Sequence, residues 1–221
     1  MIKQKLIIFL SLSPFLFANE NISNINKNNY YVGGSLDYQR IYNHNPELID
    51  TGLTQDNLGG VTLILGYKNL FNNYFENKDF SLDIEGRISK SFWEESFADS
   101  TRYSIFAKPQ YNVYKNKNIN IYGLLGLGQL TIEGNNGAVP AHKNMIGKDI
   151  YDDISFQWGL GINADISKDF SLFMDYTSLI KDGDIDSTLY DYDSKVYQEL
   201  SADAINIGVT YRFNLENLYN R

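Results

Sequence analysis

Three charged residues stand at every second position of one short segment, as Asp83, Glu85 and Arg87. Side chains at every second position of a β-strand point to the same side, so these three would share one face. The opposite face would carry the apolar residues Phe80, Leu82, Ile84 and Ile88. A shift of one residue would place the charges on the apolar side, so the register is well specified. Lys108, on the next predicted strand, is positioned to pair with these acids across the hairpin.

The two histidines, His44 and His142, are the candidates for a catalytic base that could activate a hydroxyl. Activation of a hydroxyl nucleophile requires a base held beside a serine or threonine. Both histidines fall in predicted loops, and neither is followed two residues later by a serine. We therefore interpret them as solvated loop histidines and predict no catalytic residues.

One acidic stretch, Asp182-Gly183-Asp184-Ile185-Asp186, has the ligand spacing of a calcium-binding loop. Asp193 falls at the twelfth position of such a loop. Ser187, however, occupies the sixth position, where glycine is needed, and no glutamate closes the site. The stretch is therefore predicted to be an acidic, solvated loop, with weak binding of divalent cations as the alternative. No metal site and no cofactor are predicted.

The composition excludes several classes of function. Asp and Glu number 27 against 19 Lys and Arg, and the net charge of −8 disfavours nucleic acid as a partner. The chain has no cysteine, which excludes disulfides, thiol catalysis and cysteine metal sites. Aromatic residues are abundant, with 17 Tyr, 13 Phe and 2 Trp.

The N-terminus is typical of an exported protein. Lys3 and Lys5 precede an apolar run at residues 6–17, and Ala18 supplies a small residue for cleavage. The run is shorter than the ~20 residues of a membrane-spanning helix. We predict a signal peptide at residues 1–18, with an anchor helix as the alternative. Residues 19–29, rich in asparagine, are predicted to be a flexible segment.

Alternation of apolar and polar residues recurs along the rest of the chain and predicts eight β-strands. The predicted strands are 30–40, 59–67, 80–89, 102–114, 119–133, 156–166, 170–179 and 205–213. Four long connections, at 41–58, 91–99, 134–153 and 181–203, alternate with shorter ones at 68–79, 115–118 and 167–169. All long connections would lie on one side, as in bacterial outer-membrane barrels.

The apolar face could meet lipid or could fill a soluble, lipocalin-like barrel. Aromatic residues cluster at the predicted strand ends, where a membrane barrel has its girdles. This predicted girdle comprises Tyr38, Tyr67, Phe80, Tyr103, Phe156, Phe170, Tyr176, Tyr211 and Phe213. Ten residues at ~3.3 Å each, tilted by ~40°, rise about 25 Å, which is the height of the apolar band. These features favour an apolar face that meets lipid.

The polar faces of the strands would then line the interior. Nine charged residues are predicted there: Asp37, Asp83, Glu85, Arg87, Arg102, Lys108, Asp165, Asp175 and Arg212. Five acids and four bases nearly balance. An eight-stranded barrel has room for side chains but little water, and buried charges must be paired. The sequence predicts a polar plug, with a conducting path as the alternative.

With these features, the chain resembles the small outer-membrane β-barrel family that includes the OmpA transmembrane domain, OmpX and the opacity-type surface proteins. The resemblance covers residues 30–213. It depends on glycine-rich strands such as Tyr122–Gly128 and Trp158–Gly161, and on the terminal Val209–Phe213. It implies an all-β, eight-stranded antiparallel up-and-down barrel in the bacterial outer membrane. In many members the final aromatic residue ends the chain, whereas here a tail, 214–221, follows Phe213.

The expected function is that of a non-enzymatic membrane protein, for membrane integrity or for surface contact and adhesion through the long loops. A narrow, porin-like channel is the alternative, and a lipid-modifying enzyme is third. The expected partners are outer-membrane lipid, lipopolysaccharide and, during biogenesis, the barrel-assembly machinery. A host or surface ligand would meet the loop aromatics Trp93, Tyr190, Tyr192 and Tyr197. The protein is expected to be a monomer.

Overall fold

Eight antiparallel strands follow one another around a closed barrel in a computed structural model of the chain. The structure describes residues 30–43, 55–70, 79–92, 98–114, 118–134, 147, 149–184 and 199–213. The strands are β1 Tyr30–Asn43, β2 Gln55–Tyr67, β3 Phe80–Phe92, β4 Ala98–Tyr114, β5 Ile119–Gly134, β6 Asp149–Asp165, β7 Phe170–Asp184 and β8 Glu199–Phe213. Each strand pairs with its neighbour in the sequence, and β8 pairs with β1. The predicted fold, an eight-stranded up-and-down barrel, is confirmed.

Within the described residues, no helix is long and apolar enough to span a membrane. The predicted signal peptide 1–18, the segment 19–29 and the tail 214–221 lie outside the described residues.

The strands are strongly tilted, as the register of the ladder shows. Following paired residues once around the barrel from Ser91 of β3 leads back to Ser81 of the same strand, ten residues away. The path passes through Gly60, Asp37, Asn206, Asp175, Gly161, Tyr122 and Gln110. With eight strands and this stagger, the interior is just wide enough to be filled by side chains.

The wall of the barrel is apolar outside and polar inside over most of its height. Leu36, Leu63 and Leu160 are among the most exposed residues, at 72%, 66% and 64%. Asp83, Glu85 and their polar neighbours point inward and are buried. This is the arrangement of a membrane barrel. It excludes the soluble alternative for this part of the wall, because a soluble barrel would have its apolar face inside.

We call the strand ends that carry the four long connections the outer ends and the opposite ones the inner ends. The strands extend further at their outer ends than the sequence predicts. β2 begins at Gln55, β6 at Asp149 and β8 at Glu199. The connections predicted at 41–58, 91–99, 134–153 and 181–203 are therefore too long. In several strands the apolar residues change phase near the outer end: in β2 they pass from odd positions to Leu58, and in β8 from odd positions to Leu200, Ala202 and Ala204.

This change of phase marks a second core. In β5, Leu125 and Leu127 face outward and are about half exposed, whereas Leu130 and Ile132 face inward and are buried. Similar residues from other strands join them in one apolar cluster: Ile41, Leu58, Ala98, Leu130, Ile132, Tyr151, Leu179, Ile180, Leu200, Ala202 and Ala204. We call this cluster the outer core. The interior of the barrel is thus apolar at the outer end, as in a soluble protein. Over the rest of the barrel the interior is polar.

Candidate functional site

The barrel interior contains the candidate site that the sequence predicts. All nine predicted residues lie on inward positions of their strands. Seven are buried: Asp37, Asp83, Glu85, Arg87, Arg102, Lys108 and Asp175. Asp165 and Arg212 are about 15% exposed at the inner end. The structure therefore brings the predicted charges together in one column along the barrel axis.

Arg87 is the centre of this column. Its guanidinium donates to Glu85, two residues earlier on β3, at 2.7 Å from Nε. It also donates twice to Asp175 of β7, at 3.0 Å from Nη1 and 2.7 Å from Nη2. Paired hydrogen bonds between a guanidinium and a carboxylate are among the stronger polar contacts in proteins. Arg87 therefore links two walls of the barrel through its interior.

The two carboxylates around Arg87 have further partners. Lys108 Nζ donates to Glu85 at 2.8 Å, and the Tyr31 hydroxyl donates to the same carboxylate at 2.7 Å. Asp175 accepts hydrogen bonds from Tyr122 and Asn206, each at 2.9 Å. The pairing of Lys108 with an acid of β3, expected from the hairpin, is present.

Aromatic rings surround the two cations of this cluster. Lys108 Nζ lies 4.2 Å from the ring centroid of Tyr122, and the Arg87 guanidinium lies 5.5 Å from that of Phe106. Such contacts add attraction when the cation is removed from water. The Tyr122 ring also packs directly against Gly161, where the wall has no side chain. A methyl group on Gly161 would overlap this ring. Rings and ion pairs together fill the middle of the barrel.

Towards the outer end, Arg102 forms a second ion pair. Its Nη2 donates to Asp37 at 3.0 Å and to Ser89 at 2.9 Å. Thr62 and Ser91 donate to the same carboxylate at 3.2 and 3.1 Å. Asp37 thus satisfies its acceptor positions through three strands.

At the inner end, polar contacts continue towards the inner rim. Arg212 pairs with Asp165 at 2.7 Å. Asp83 accepts from the backbone N–H of Asn69 at 3.0 Å and from the amide of Gln110. The oxygen of Gln110 accepts from Asn163 at 2.8 Å. The column of hydrogen bonds therefore runs from the inner rim to the level of Asp37.

The predicted girdle residues lie on the outward face. Tyr38, Phe156, Phe170 and Tyr211 are exposed, at 46%, 62%, 46% and 42%. The other five, Tyr67, Phe80, Tyr103, Tyr176 and Phe213, are partly exposed. The Phe170 and Tyr211 rings are 4.9 Å apart at the inner end. Aromatic residues at the two ends of the apolar band are typical of barrels in a lipid bilayer.

A polar contact lies beyond the band on the outer side. Arg40 donates two hydrogen bonds to Asp203, at 2.9 and 2.8 Å. These bonds raise the pKa of the Arg40 guanidinium above its ordinary value, because the ionised carboxylate stabilises the charged form. Sequence reasoning missed this pair because Asp203 was assigned to a loop.

Several predicted features fall outside the residues that the structure describes. They include His44, His142, Trp93, Tyr190, Tyr192 and Tyr197. Of the calcium-like stretch, Asp186 and Asp193 lie outside, and the side chains of Asp182 and Asp184 are not described. In the described strands and turns, no group of three His, Cys, Asp or Glu side chains is placed to hold a metal ion.

Comparison with known proteins identifies a family. The sequence model of the family described as outer membrane protein beta-barrel domain matches residues 8–213. No curated protein matches the sequence.

Among solved structures, the chain is similar to Ail, the attachment invasion locus protein of Yersinia pestis. The identity is 18% and the TM-score 0.53, with 85% of this chain and 100% of that chain covered. A second structure of Ail, in complex with the heparin analogue sucrose octasulfate, matches at 17% identity and a TM-score of 0.51, with the same coverage. Neisserial surface protein A matches at 13% identity and a TM-score of 0.49, covering 83% of this chain and 97% of that chain. At these identities the likeness concerns the fold.

Proposed function

Because the chain belongs to the outer membrane protein β-barrel domain family, whose members lie in the bacterial outer membrane, we propose that it is a non-conducting, non-enzymatic barrel that presents a rigid surface for contact outside the cell. The lipid-facing wall anchors it. The outer ends of the strands, held together by the outer core, support the long connections.

One observation supports the absence of conduction: the lumen is blocked at two levels. Arg87, Glu85 and Asp175 bridge opposite walls with side chains that are at most 2% exposed. Above them, the outer core fills the barrel with eleven apolar residues. An ion crossing the outer core would lose its hydration without gaining ligands, which costs several kcal/mol or more.

Planar-bilayer recording tests this proposal directly. The purified protein is expected to give no discrete conductance steps. The alternative, a narrow channel, predicts steps that change when Lys108, inside the lumen, is replaced in K108M. The matched control is K90M, because Lys90 faces outward and is exposed. Steps that respond to K108M and not to K90M would establish the channel and end our proposal.

The charge of the outer end indicates what kind of surface it would contact. Beyond the apolar band, the exposed and partly exposed acids are Asp99, Glu133, Asp149, Asp152, Asp153 and Asp203. Among the residues whose side chains the structure describes, Arg40 and Lys90 are the only bases that oppose them there. The sequence between the strands adds seven acids and three lysines on this side. An acidic surface attracts cationic partners and repels polyanions.

One structure of Ail contains a heparin analogue, which is a polyanion, and the acidic outer end of this chain would repel such a ligand. We expect this protein in lipid nanodiscs to pass through immobilised heparin and to bind immobilised polylysine, with binding that weakens as salt is added. Reversal of two outer acids in E133K/D152K should weaken binding to polylysine. Retention of the unmodified protein on heparin would contradict the proposal that the outer end contacts cationic partners.

The proposal that the protein is not an enzyme has its own experiment. Lipid-modifying barrels use a histidine near the membrane rim, and this chain has two histidines, His44 and His142. Lipid A from cells that express the unmodified protein and from cells that express H44A/H142A should have the same mass spectrum. A species present only with the unmodified protein would show enzymatic activity.

A further inference from the structure

A layer of buried hydrogen-bond donors lies between the ion-pair cluster of Arg87 and the outer core. Within the described part of the chain, no group accepts from Arg102 Nε and Nη1, Gln39 Nε2 or Gln157 Nε2. The hydroxyls of Ser35 and Thr177 also lack a partner there. Arg102, Gln39 and Gln157 are at most 1% exposed. Buried polar groups in native proteins are nearly always satisfied, so these atoms require an explanation.

The register brings these side chains together in one part of the lumen. Arg102 contacts Asp37, so its guanidinium lies beside β1, where Ser35 and Gln39 flank Asp37 on the same face. Gln39 is followed around the barrel by its ladder partner Ala204, and Ala204 by Thr177. On the other wall, Gln157 is bonded to Ser104, which lies two residues from Arg102 on the same face of β4. The unpaired groups therefore surround one region of the lumen.

The orientation of the two amides makes this region rich in donors. Ser100 donates to Gln39 Oε1 at 2.8 Å, and Ser104 donates to Gln157 Oε1 at 2.7 Å. Each amide oxygen is thereby used on the wall, and each NH₂ group is left for the lumen. The guanidinium adds three more N–H groups, because only its Nη2 is bonded. What binds here must accept hydrogen bonds.

The charges of the interior indicate that the bound species is neutral. Arg102 is balanced by Asp37. Below them, Arg87 and Lys108 are balanced by Glu85 and Asp175. An anion in the same layer would be an uncompensated buried charge, which is strongly unfavourable. A neutral acceptor that can also donate to the Ser35 and Thr177 hydroxyls fits both requirements, and water has this chemistry.

We propose that this layer is a closed binding site for ordered water, held by Arg102, Gln39 and Gln157. The outer core separates it from the external medium, and the Arg87 cluster separates it from the periplasmic side. The bound water completes the hydrogen bonds of the Arg102 guanidinium and so allows the pair with Asp37 to remain ionised within the barrel. Its residence is expected to be long, because both exits are filled.

A high-resolution crystal structure of the protein, grown in sodium bromide, tests the site. The expected result is electron density at about 2.7–3.2 Å from Arg102 Nη1 and the two amide nitrogens, without anomalous signal. Anomalous signal at the bromine edge would identify an anion and overturn the proposal. A layer in which the amide oxygens have turned to accept directly from Arg102, with no density between them, would overturn it as well.

Nuclear magnetic resonance in nanodiscs supplies a second readout. We expect a cross-peak between water and the Arg102 Nε–H in the unmodified protein. The variant Q157L removes one donor pair from the layer, and the cross-peak should be lost or weakened. The control Q129L changes an outward glutamine bonded to Asp152 and should leave the cross-peak unchanged. Absence of the cross-peak in the unmodified protein, or a cross-peak unaffected by Q157L, would contradict the site.

Discussion

Arg87 contributes both to the ion pairing in the barrel interior and to the packing there. It is buried between Glu85 and Asp175, and Phe106 lies against its guanidinium. Each carboxylate also receives hydrogen bonds from other strands, so a change at this position reaches several parts of the wall. The pair does not need to be a large net source of stability for its disruption to be costly, because removal of one partner leaves the others buried and uncompensated.

We therefore expect R87M to lower the free energy of unfolding by about 3–5 kcal/mol. Denaturation of the detergent-solubilised protein, followed by tryptophan fluorescence, would measure this. The matched control is R40M, because Arg40 pairs with Asp203 at the partly exposed outer end and its loss should cost about 0–1 kcal/mol. Equal effects of the two variants would show that the buried cluster is no more important than a surface ion pair.

The sequence predicts which way these residues face, but it predicts only part of their pairing. Alternation alone places Glu85 and Arg87 on the inner face, and the adjacent strand supplies Lys108. Asp175 is 88 residues from Arg87 and four strands away, and nothing local connects them. Their contact depends on the stagger of the whole barrel, because the stagger determines which residue of β7 lies across the lumen from a given residue of β3. Stagger cannot be derived from the alternation of single strands.

A close approach between β4 and β5 provides a prediction at the level of the strand. A methyl group on Gly126 would overlap the carbonyl oxygen of Ile105, which belongs to the neighbouring strand. The backbone would have to move, so we expect G126A to destabilise the barrel by about 1–3 kcal/mol. On β1, a methyl on Gly34 would meet only the Thr62 oxygen, at 3.7 Å, so G34A should be nearly neutral. A neutral G126A in the same denaturation experiment would contradict this packing.

The inversion of polarity along β5 leads to a sharper prediction about the strand. Leu125 faces lipid deep in the apolar band, Gln129 faces outward beyond it, and Leu130 belongs to the outer core. Lysine at these three positions should therefore behave differently. We expect L125K to cost about 2–4 kcal/mol in lipid, Q129K to be tolerated, and L130K to be destabilising because it buries a charge.

Unfolding in liposomes of the three lysine variants would measure these differences. If the outer ends of the strands were lipid-embedded like the rest of the wall, Q129K would be the more costly change and L130K would be accepted at a polar interior. That order of stabilities would exclude an outer core of the soluble type.

The same inversion explains where sequence-based strand limits fail. β8 is predicted from residue 205, although the strand begins at Glu199. In Leu200, Ala202 and Ala204 the apolar residues occupy even positions, and from Ile205 they occupy odd ones. A change of phase is what a strand end or a bulge produces, so the pattern favoured a loop. The strand continues, and it is the surroundings that change from lipid and polar lumen to water and apolar core.

On the scale of the whole molecule, closure depends on the pairing of the first and last strands. β1 and β8 are paired from Tyr30 with Phe213 to Asn43 with Leu200, along the full length of β1. A closed ladder leaves no open edge in lipid, where an unpaired backbone group would be costly. The ladder ends at Phe213, and the Tyr30 ring lies 6.1 Å from the Phe213 ring at this last pair. Eight residues follow in the sequence.

Since the pairing of β8 ends at Phe213 with β1 and at Tyr211 with β7, we expect a protein truncated after Phe213 to fold into the same barrel, whereas truncation after Ala204 should prevent closure. The latter removes the lipid-facing half of β8, and with it the partners of β1 from Tyr30 to Tyr38 and of β7 from Phe170 to Tyr176. Gel electrophoresis of the outer-membrane fraction, with and without boiling, distinguishes these outcomes, because a closed barrel migrates differently until it is boiled. The full chain and the truncation after Phe213 should both shift on boiling, and the truncation after Ala204 should not. A truncation after Phe213 that no longer shifts, although it is produced and exported, would show that closure requires residues 214–221 and that the ladder alone is insufficient.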